Sequence, residues 1–433
     1  MTRLVKHARL NVCAALLLAL AAGAAARASL PEPYEELGRL YSGKQFFELR
    51  DELQKHRAAD SPELLFYRGV VANKFNRPAQ SIQFIRRFLS VAPPDARRSM
   101  LKDAHALLLD DYAKTYRYAQ AAAECRVLLA RYRAELDAEK LADAENALRI
   151  WGALAGVPRQ TVRLNGGTRL QTSKDKAGLT NVPVETAGQR VNFVFDTGAN
   201  ISTVTRSYAR RLGFRVIEAD IRVGTSTGAR VRARLGVAPL LRIGRVSVRH
   251  AVFLVFEDRD LAFPQINYQI NGIVGFPIIE ALGQVTLTRG GEIIVPPRPD
   301  PSPLQNMALD ELTPLLVGEF RGRRLTFTFD TGAVTTTFYR LFYEAYEGEI
   351  KANAARRRER IGGAGGSKEV SSYRLKNLAL TFAGKQAQFA EARILSDPIR
   401  EVDRYFYGNL GQDLIKQFPA LTLNFEAMSI TFE

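Results

Sequence analysis

The tetrapeptide Asp-Thr-Gly-Ala occurs twice, as Asp196-Thr197-Gly198-Ala199 and as Asp330-Thr331-Gly332-Ala333, and this repetition limits the folds open to the C-terminal part of the chain. Each copy follows an alternating apolar run, Val191-Asn192-Phe193-Val194-Phe195 and Leu325-Thr326-Phe327-Thr328-Phe329. Period-two alternation is the pattern of a half-buried β-strand. Two strands are therefore expected to end in turns that present an aspartate. The repetition continues downstream in register. Gly272-Ile273-Val274-Gly275 follows the first aspartate and Gly408-Asn409-Leu410-Gly411 the second, at nearly equal intervals. Each is followed by a further strand-like run, Val285-Thr286-Leu287 or Leu421-Thr422-Leu423. A single Asp-Thr-Gly is ordinary turn chemistry, but turn propensity explains neither the register nor the flanks.

These residues resemble the aspartic proteases, and the retroviral and bacterial retropepsin-like branch more closely than the pepsin branch. The resemblance covers roughly residues 160–433. Ala199 and Ala333 stand where pepsin-like enzymes usually carry a hydroxyl residue. Retroviral chains carry one such lobe and dimerise. This chain carries two motifs, so the expected architecture is an all-β, two-lobed acid-protease barrel pair in one monomeric chain. The resemblance implies that Asp196 and Asp330 are the catalytic pair. It also implies that Thr197 and Thr331 lock the two loops together, that Gly198 and Gly332 allow their close approach, and that Val274-Gly275 and Leu410-Gly411 pack behind them. Two carboxylates at hydrogen-bonding distance share one proton, which suits them to activate water and polarise a peptide carbonyl at once. A protein or peptide substrate follows, with no metal and no organic cofactor. Asn200 and Val334 depart from the family pattern and leave the support of the loops open. Phe276 and Gln412 stand where retroviral enzymes carry an arginine, so the dimer ion pair of that family is not expected.

Each half also carries a candidate flap between its aspartate and its distal glycine: Gly224-Thr225-Ser226-Thr227-Gly228, and Gly362-Gly363-Ala364-Gly365-Gly366. Glycines at a hairpin tip permit positive φ and close approach of backbone to a ligand. The first also matches the Gly-x-Ser-x-Gly nucleophile elbow, but that motif needs a strand-turn-helix setting and a histidine partner, and only His250 lies downstream. No cysteine or histidine spacing suggests zinc.

The N-terminal part reads differently. Arg3, Lys6 and Arg9 precede an apolar stretch and a small-residue exit at Ala26-Arg27-Ala28, the pattern of a secretory signal peptide over residues 1–28. Cleavage near Ala28 or retention as an anchor are both open; the first leaves no stable membrane span and puts the protein in the periplasm or outside the cell. Residues 29–156 are helical in pattern, with paired amphipathic segments similar to a degenerate tetratricopeptide repeat. Such a solenoid holds a protein partner, feeds substrate, or acts as a spacer. Near residue 157 the period turns strand-like, and Asn165-Gly166-Gly167 predicts a hairpin between Thr161–Leu164 and Thr168–Gln171. Five prolines within residues 296–303 predict a stiff connector, placing lobes at 157–295 and 306–433 with a linker at 296–305.

The formal net charge of +16 favours acidic partners or anionic surfaces, and four of those charges, Arg3, Lys6, Arg9 and Arg27, lie in the N-terminal segment. No nucleic-acid module accompanies it, so nucleic acid is not an expected partner. Arg356-Arg357-Arg358 reads as a solvated charge run. The alternative to an enzyme is a catalytically silent peptide-binding adaptor of the cell envelope.

Overall fold

The computed structural model describes residues 32–57, 61–93, 97–224, 230–363, 366–399 and 401–433. The segment read as a signal peptide lies outside them. Among the described residues seven α-helices come first: α1 (Glu32–Ser42), α2 (Phe46–Leu53), α3 (Pro62–Lys74), α4 (Pro78–Val91), α5 (Arg98–Lys114), α6 (Tyr118–Arg131) and α7 (Ala138–Leu154). Ser61 caps α3 by accepting from the Leu64 N–H, and Asp137 caps α7 by accepting from that of Lys140. The turns after α1, α3 and α5 each place one non-glycine residue in the left-handed region: Lys44, Asn76 and Tyr116. All three reach the β-rich remainder of the chain. The Lys44 ammonium meets Asp310 Oδ2 at 2.6 Å, Asn76 Nδ2 donates to Glu280 Oε1 at 3.0 Å, and the Tyr116 hydroxyl donates to the Pro277 carbonyl at 3.1 Å. The helix pairs thus present corresponding turns to one face, and half-buried polar contacts fix that face.

Between α3 and α5, Asn73 Nδ2 bridges Asp110 Oδ2 and Asp111 Oδ1, each at 2.8 Å. Burial, reinforced by the neighbouring charge of Asp110, pushes the Asp111 carboxyl up to about 7. A carboxyl whose folded pKa is raised favours the fold fully below the unfolded value, near 3.9, and that contribution is lost as pH rises toward the folded value. At about 1.4 kcal/mol per unit the loss between about pH 4 and 7 is on the order of 4 kcal/mol. Asp111→Asn is accordingly expected to melt at a higher temperature than the parent at pH 8, with the gap closing as pH falls toward 4. Thermal unfolding across that range checks it, and a pH-independent gap would contradict it.

The β-rich part contains two sheets of the same topology. In the first half the strands run in the order Thr180–Thr186, Gln189–Phe195, Gly272–Val274, Ser202–Thr205, Val246–Phe256, Arg230–Ile243 and Arg215–Gly224. In the second half the order is Thr313–Phe320, Arg323–Phe329, Gly408–Leu410, Thr337–Phe338, Lys385–Leu395, Gly366–Phe382 and Ala355–Gly363. Both close on themselves through the same additional pairing, Thr186 with Leu241 in one and Gly318 with Phe382 in the other. Closure removes all but the terminal edges, and the edge strand Ala355–Gly363 carries Arg356, Arg357 and Arg358 exposed, which blunts it against pairing with another chain. Phe193, Phe195 and Phe253 fill one interior and Phe327, Phe329 and Phe338 the other.

A five-stranded sheet joins the halves. Gln284–Thr288 pairs antiparallel with Ala420–Asn424, setting Val285 opposite Leu423 and Leu287 opposite Leu421, and the Thr286 and Thr422 hydroxyls meet at 2.7 Å. The two strand-like runs read from the repeat are therefore each other's partners. The hairpin predicted at Asn165-Gly166-Gly167 is not formed. Thr161–Leu164 pairs with Val246–Phe256 in the first half, whereas Thr168–Gln171 pairs with Glu292–Val295 in the joining sheet, so the glycines carry a crossover between sheets. The proline-rich connector has no regular structure but is tied down: Asp300 exchanges bonds with Gln284 at 2.7 and 2.8 Å, and its carbonyl accepts from Asn424 at 2.8 Å. No described helix is long and apolar enough to cross a membrane.

Candidate active site

Each aspartate sits one residue beyond a strand that is buried toward its end, Gln189–Phe195 or Arg323–Phe329. The short parallel strand behind each one holds the turn: the Asp196 N–H donates to the Val274 carbonyl and the Asp330 N–H to the Leu410 carbonyl, both at 3.0 Å. The loops then grip one another. Thr197 N–H donates to Thr331 Oγ1 and Thr331 N–H to Thr197 Oγ1, each at 3.0 Å. The same hydroxyls donate onward, Thr197 to the Phe329 carbonyl at 3.2 Å and Thr331 to the Phe195 carbonyl at 2.8 Å. Both threonines are buried, so four charge-free bonds in a low-dielectric setting fix the separation of the loops.

That grip brings the carboxyl groups against the opposite loop. A Cβ on Gly198 would stand 2.6 Å from Asp330 Cγ, and one on Gly332 only 2.4 Å from Asp196 Cγ. Each carboxylate also accepts from its own turn, Asp196 Oδ1 from the Gly198 N–H at 2.8 Å and Asp330 Oδ1 from the Gly332 N–H at 2.7 Å. Desolvation by burial, and then the charge of Asp330 beside it, push the Asp196 carboxyl well above the usual carboxylate range. Two half-buried carboxyls thus share one environment, one from each half. Residues 182–278 match the aspartyl protease family model. The matched segment runs from the strand pair leading into Asp196 to the helix after Gly275, so it holds the first aspartate of the pair and not the second. No curated protein matches the chain.

Behind the loop of the matched segment and its counterpart, residues outside the Asp-Thr-Gly motifs supply support. Gly275 N–H donates to Ser202 Oγ at 3.0 Å and Gly411 N–H to Thr336 Oγ1 at 3.1 Å, with Thr336 held in turn by Asp413 at 2.6 Å. Gln412, at the position read as a lost arginine, is buried; its Nε2 donates to the Thr331 carbonyl at 2.8 Å and its Oε1 accepts from Lys174. Phe276, its counterpart, packs edge-on against Phe425 at 5.6 Å. Gln412 thus braces the second loop through its amide, whereas the Phe276 ring is turned to Phe425.

The flap candidates fall at the ends of two hairpins. Arg215–Gly224 and Arg230–Ile243 form the first, which includes Gly224; Thr225, Ser226, Thr227 and Gly228 lie outside the described residues. In the second, Gly362 and Gly363 pair with Ser367 and Gly366, and Ala364 and Gly365 lie outside the described residues. The first hairpin leans on α7: the Arg222 N–H donates to Asn146 Oδ1 at 2.8 Å, Arg230 meets Asp143 at 3.0 Å, and Ile150 and Leu154 share a core with Ile221. His250 Nδ1 lies 3.4 Å from the Arg159 carbonyl.

Proposed function

We propose that the chain is an aspartic endopeptidase that hydrolyses peptide bonds in proteins or peptides through one water activated between Asp196 and Asp330. The observation that carries this reading is the reciprocal Thr197–Thr331 bonding, which fixes two carboxyls from two halves against each other's glycine. Carboxyls so placed cannot both ionise cheaply, so the pair holds one proton across a wide pH range. The ionised member takes a proton from water while the protonated member donates to the carbonyl oxygen, which meets both needs of amide hydrolysis in one site. Neither step calls on a metal or an organic cofactor. Both carboxyls come from one chain, which supports a monomer as the working unit. We further propose that the chain is exported, and that the helical part braces the first hairpin or holds a protein partner.

Incubation of the full chain with a diverse peptide library tests the assignment: cleavage at internal bonds is expected, and an inert chain at every pH would leave the adaptor reading in its place. The pH profile carries a second expectation. Ala199 and Ala333 offer the carboxyls no hydroxyl donor, and Asp196 is held well above the ordinary range. A raised carboxyl keeps its proton to higher pH, so the alkaline limb moves up and the optimum falls in mildly acidic to neutral solution. Activity confined to strong acid would contradict this.

A further inference from the structure

The two halves differ in the strand pair behind each aspartate. Behind the first aspartate, the parallel register sets Ile273 against Val194 one residue before the pairing of Val274 with Phe195. The same register in the second half sets Asn409 against Thr328. An apolar pair in one half is thus a polar pair in the other, with both members exchanged together. Asn409 Nδ2 donates to Asp330 Oδ2 at 3.3 Å, and Asn409 Oδ1 accepts from the Thr328 hydroxyl at 2.7 Å. Thr328 is buried, and its O–H, which also lies 3.2 Å from the Gly408 carbonyl, makes the shorter bond to Asn409 Oδ1 and so favours the amide turned with Nδ2 toward the carboxylate. Ile273 can donate nothing to Asp196. The bonds from Gly198 and Gly332 are closely matched and Asp196 takes a further pull from the Ala199 N–H of its own turn, so among the described residues Asn409 is the side-chain donor that Asp330 has and Asp196 lacks.

A donor to a carboxylate favours its ionised form. We propose that Asn409, held by Thr328, is a positioning residue that places the single proton of the pair on Asp196 and the charge on Asp330. The proposal rests on the hydrolytic reading above and assigns its roles. As the water oxygen bonds to the carbonyl carbon, one water proton passes to Asp330, and the carbonyl π pair moves to the oxygen, which takes the proton of Asp196. Asp330 then gives its proton to the leaving nitrogen as the C–N bond breaks, and Asp196 recovers one from a hydroxyl of the diol, restoring the starting state.

Other charged groups around the second loop are engaged elsewhere. Lys174 reaches Gln412, Arg393 reaches Thr335 and Thr337 with Glu359 behind it, Asp413 holds Thr336, and Asp175 accepts from Asn181 and Tyr268.

The test is a pH titration of the full chain carrying ¹³C at aspartate carboxyls, with the two signals assigned by their loss in Asp196→Asn and Asp330→Asn. Asp330 is expected to show the ionised shift at lower pH than Asp196. In Thr328→Val/Asn409→Ile, which restores the apolar pair of the first half, the midpoint of the first step should rise by about one pH unit, the scale of one charge-assisted hydrogen bond. The acidic limb of kcat/KM should move with it. Asp196 ionising first in the parent overturns the proposal, as does an unmoved midpoint in a variant with parental melting. Asn409→Leu serves if the double variant fails to fold, and the order in the parent decides the assignment in either case. The NMR reads proton placement whether or not peptides are cleaved, so failure of hydrolysis counts against the proposed function and failure of the order against Asn409.

Discussion

Asp196→Asn and Asp330→Asn are each expected to lower kcat/KM for peptide hydrolysis by at least about 10³-fold while the chain stays folded, since either change removes one side of the acid–base pair. An amide can neither take a proton from water nor give one up at the pH of the reaction. The loss should be as deep for one residue as for the other, and the double variant no worse than either single one, because the pair acts as a unit. Folding is expected to survive because the loops are held by Thr197 and Thr331 rather than by the carboxyls. Relief of a desolvated acid at Asp196 should leave the melting temperature at neutral pH unchanged or higher. Circular dichroism alongside kinetics separates the two effects. Full activity in one of the two variants would place that half outside the chemistry.

The second large effect is steric. Gly332→Ala puts a methyl group where Asp196 now stands, 2.4 Å from its Cγ and 2.5 Å from both oxygens. No rotamer change of the methyl is available, so the carboxyl or the loop must move, and displacements near 1 Å cost about 10²-fold in rate. A loss of at least that size is expected, with about 1–3 kcal/mol of destabilisation from overpacking. Gly198→Ala meets Asp330 at 2.6 Å and should behave alike. By contrast Gly188→Ala, in a turn with nothing within 4 Å, meets only the strain of its positive φ and should leave kcat unchanged. Retained activity in Gly332→Ala would mean that the carboxyls do not face across the loops as described.

Much of this was legible because the halves repeat. The alternation of Val191, Phe193 and Phe195, and of Leu325, Phe327 and Phe329, marks strands by local periodicity, and these residues are buried where the alternation puts them. What was illegible concerns partners distant in sequence. Asn165-Gly166-Gly167 has the composition of a hairpin, yet the flanking strands pair in two different sheets. Composition sets the turn; tertiary packing chose the pairing. Likewise nothing local tells that Val285 and Leu423 will face each other, that Lys44 will find Asp310, or that α7 will carry a hairpin. The Asn409–Thr328 pair was within reach: laying the halves side by side sets Thr328 against Val194 and Asn409 against Ile273, two polar residues where the repeat has apolar ones. The same comparison sets Gln412 against Phe276, but its bond to the Thr331 carbonyl needs the fold to be seen.

Two aspartates from one chain are held to make one site. This is tested most directly by the stoichiometry of binding of a peptide with a central secondary hydroxyl in place of the scissile amide, measured by calorimetry on the full chain with its mass determined in solution. One such peptide is expected to bind per monomeric chain, with binding lost in both Asp196→Asn and Asp330→Asn. One peptide bound per two chains, or binding that survives either substitution, would contradict it.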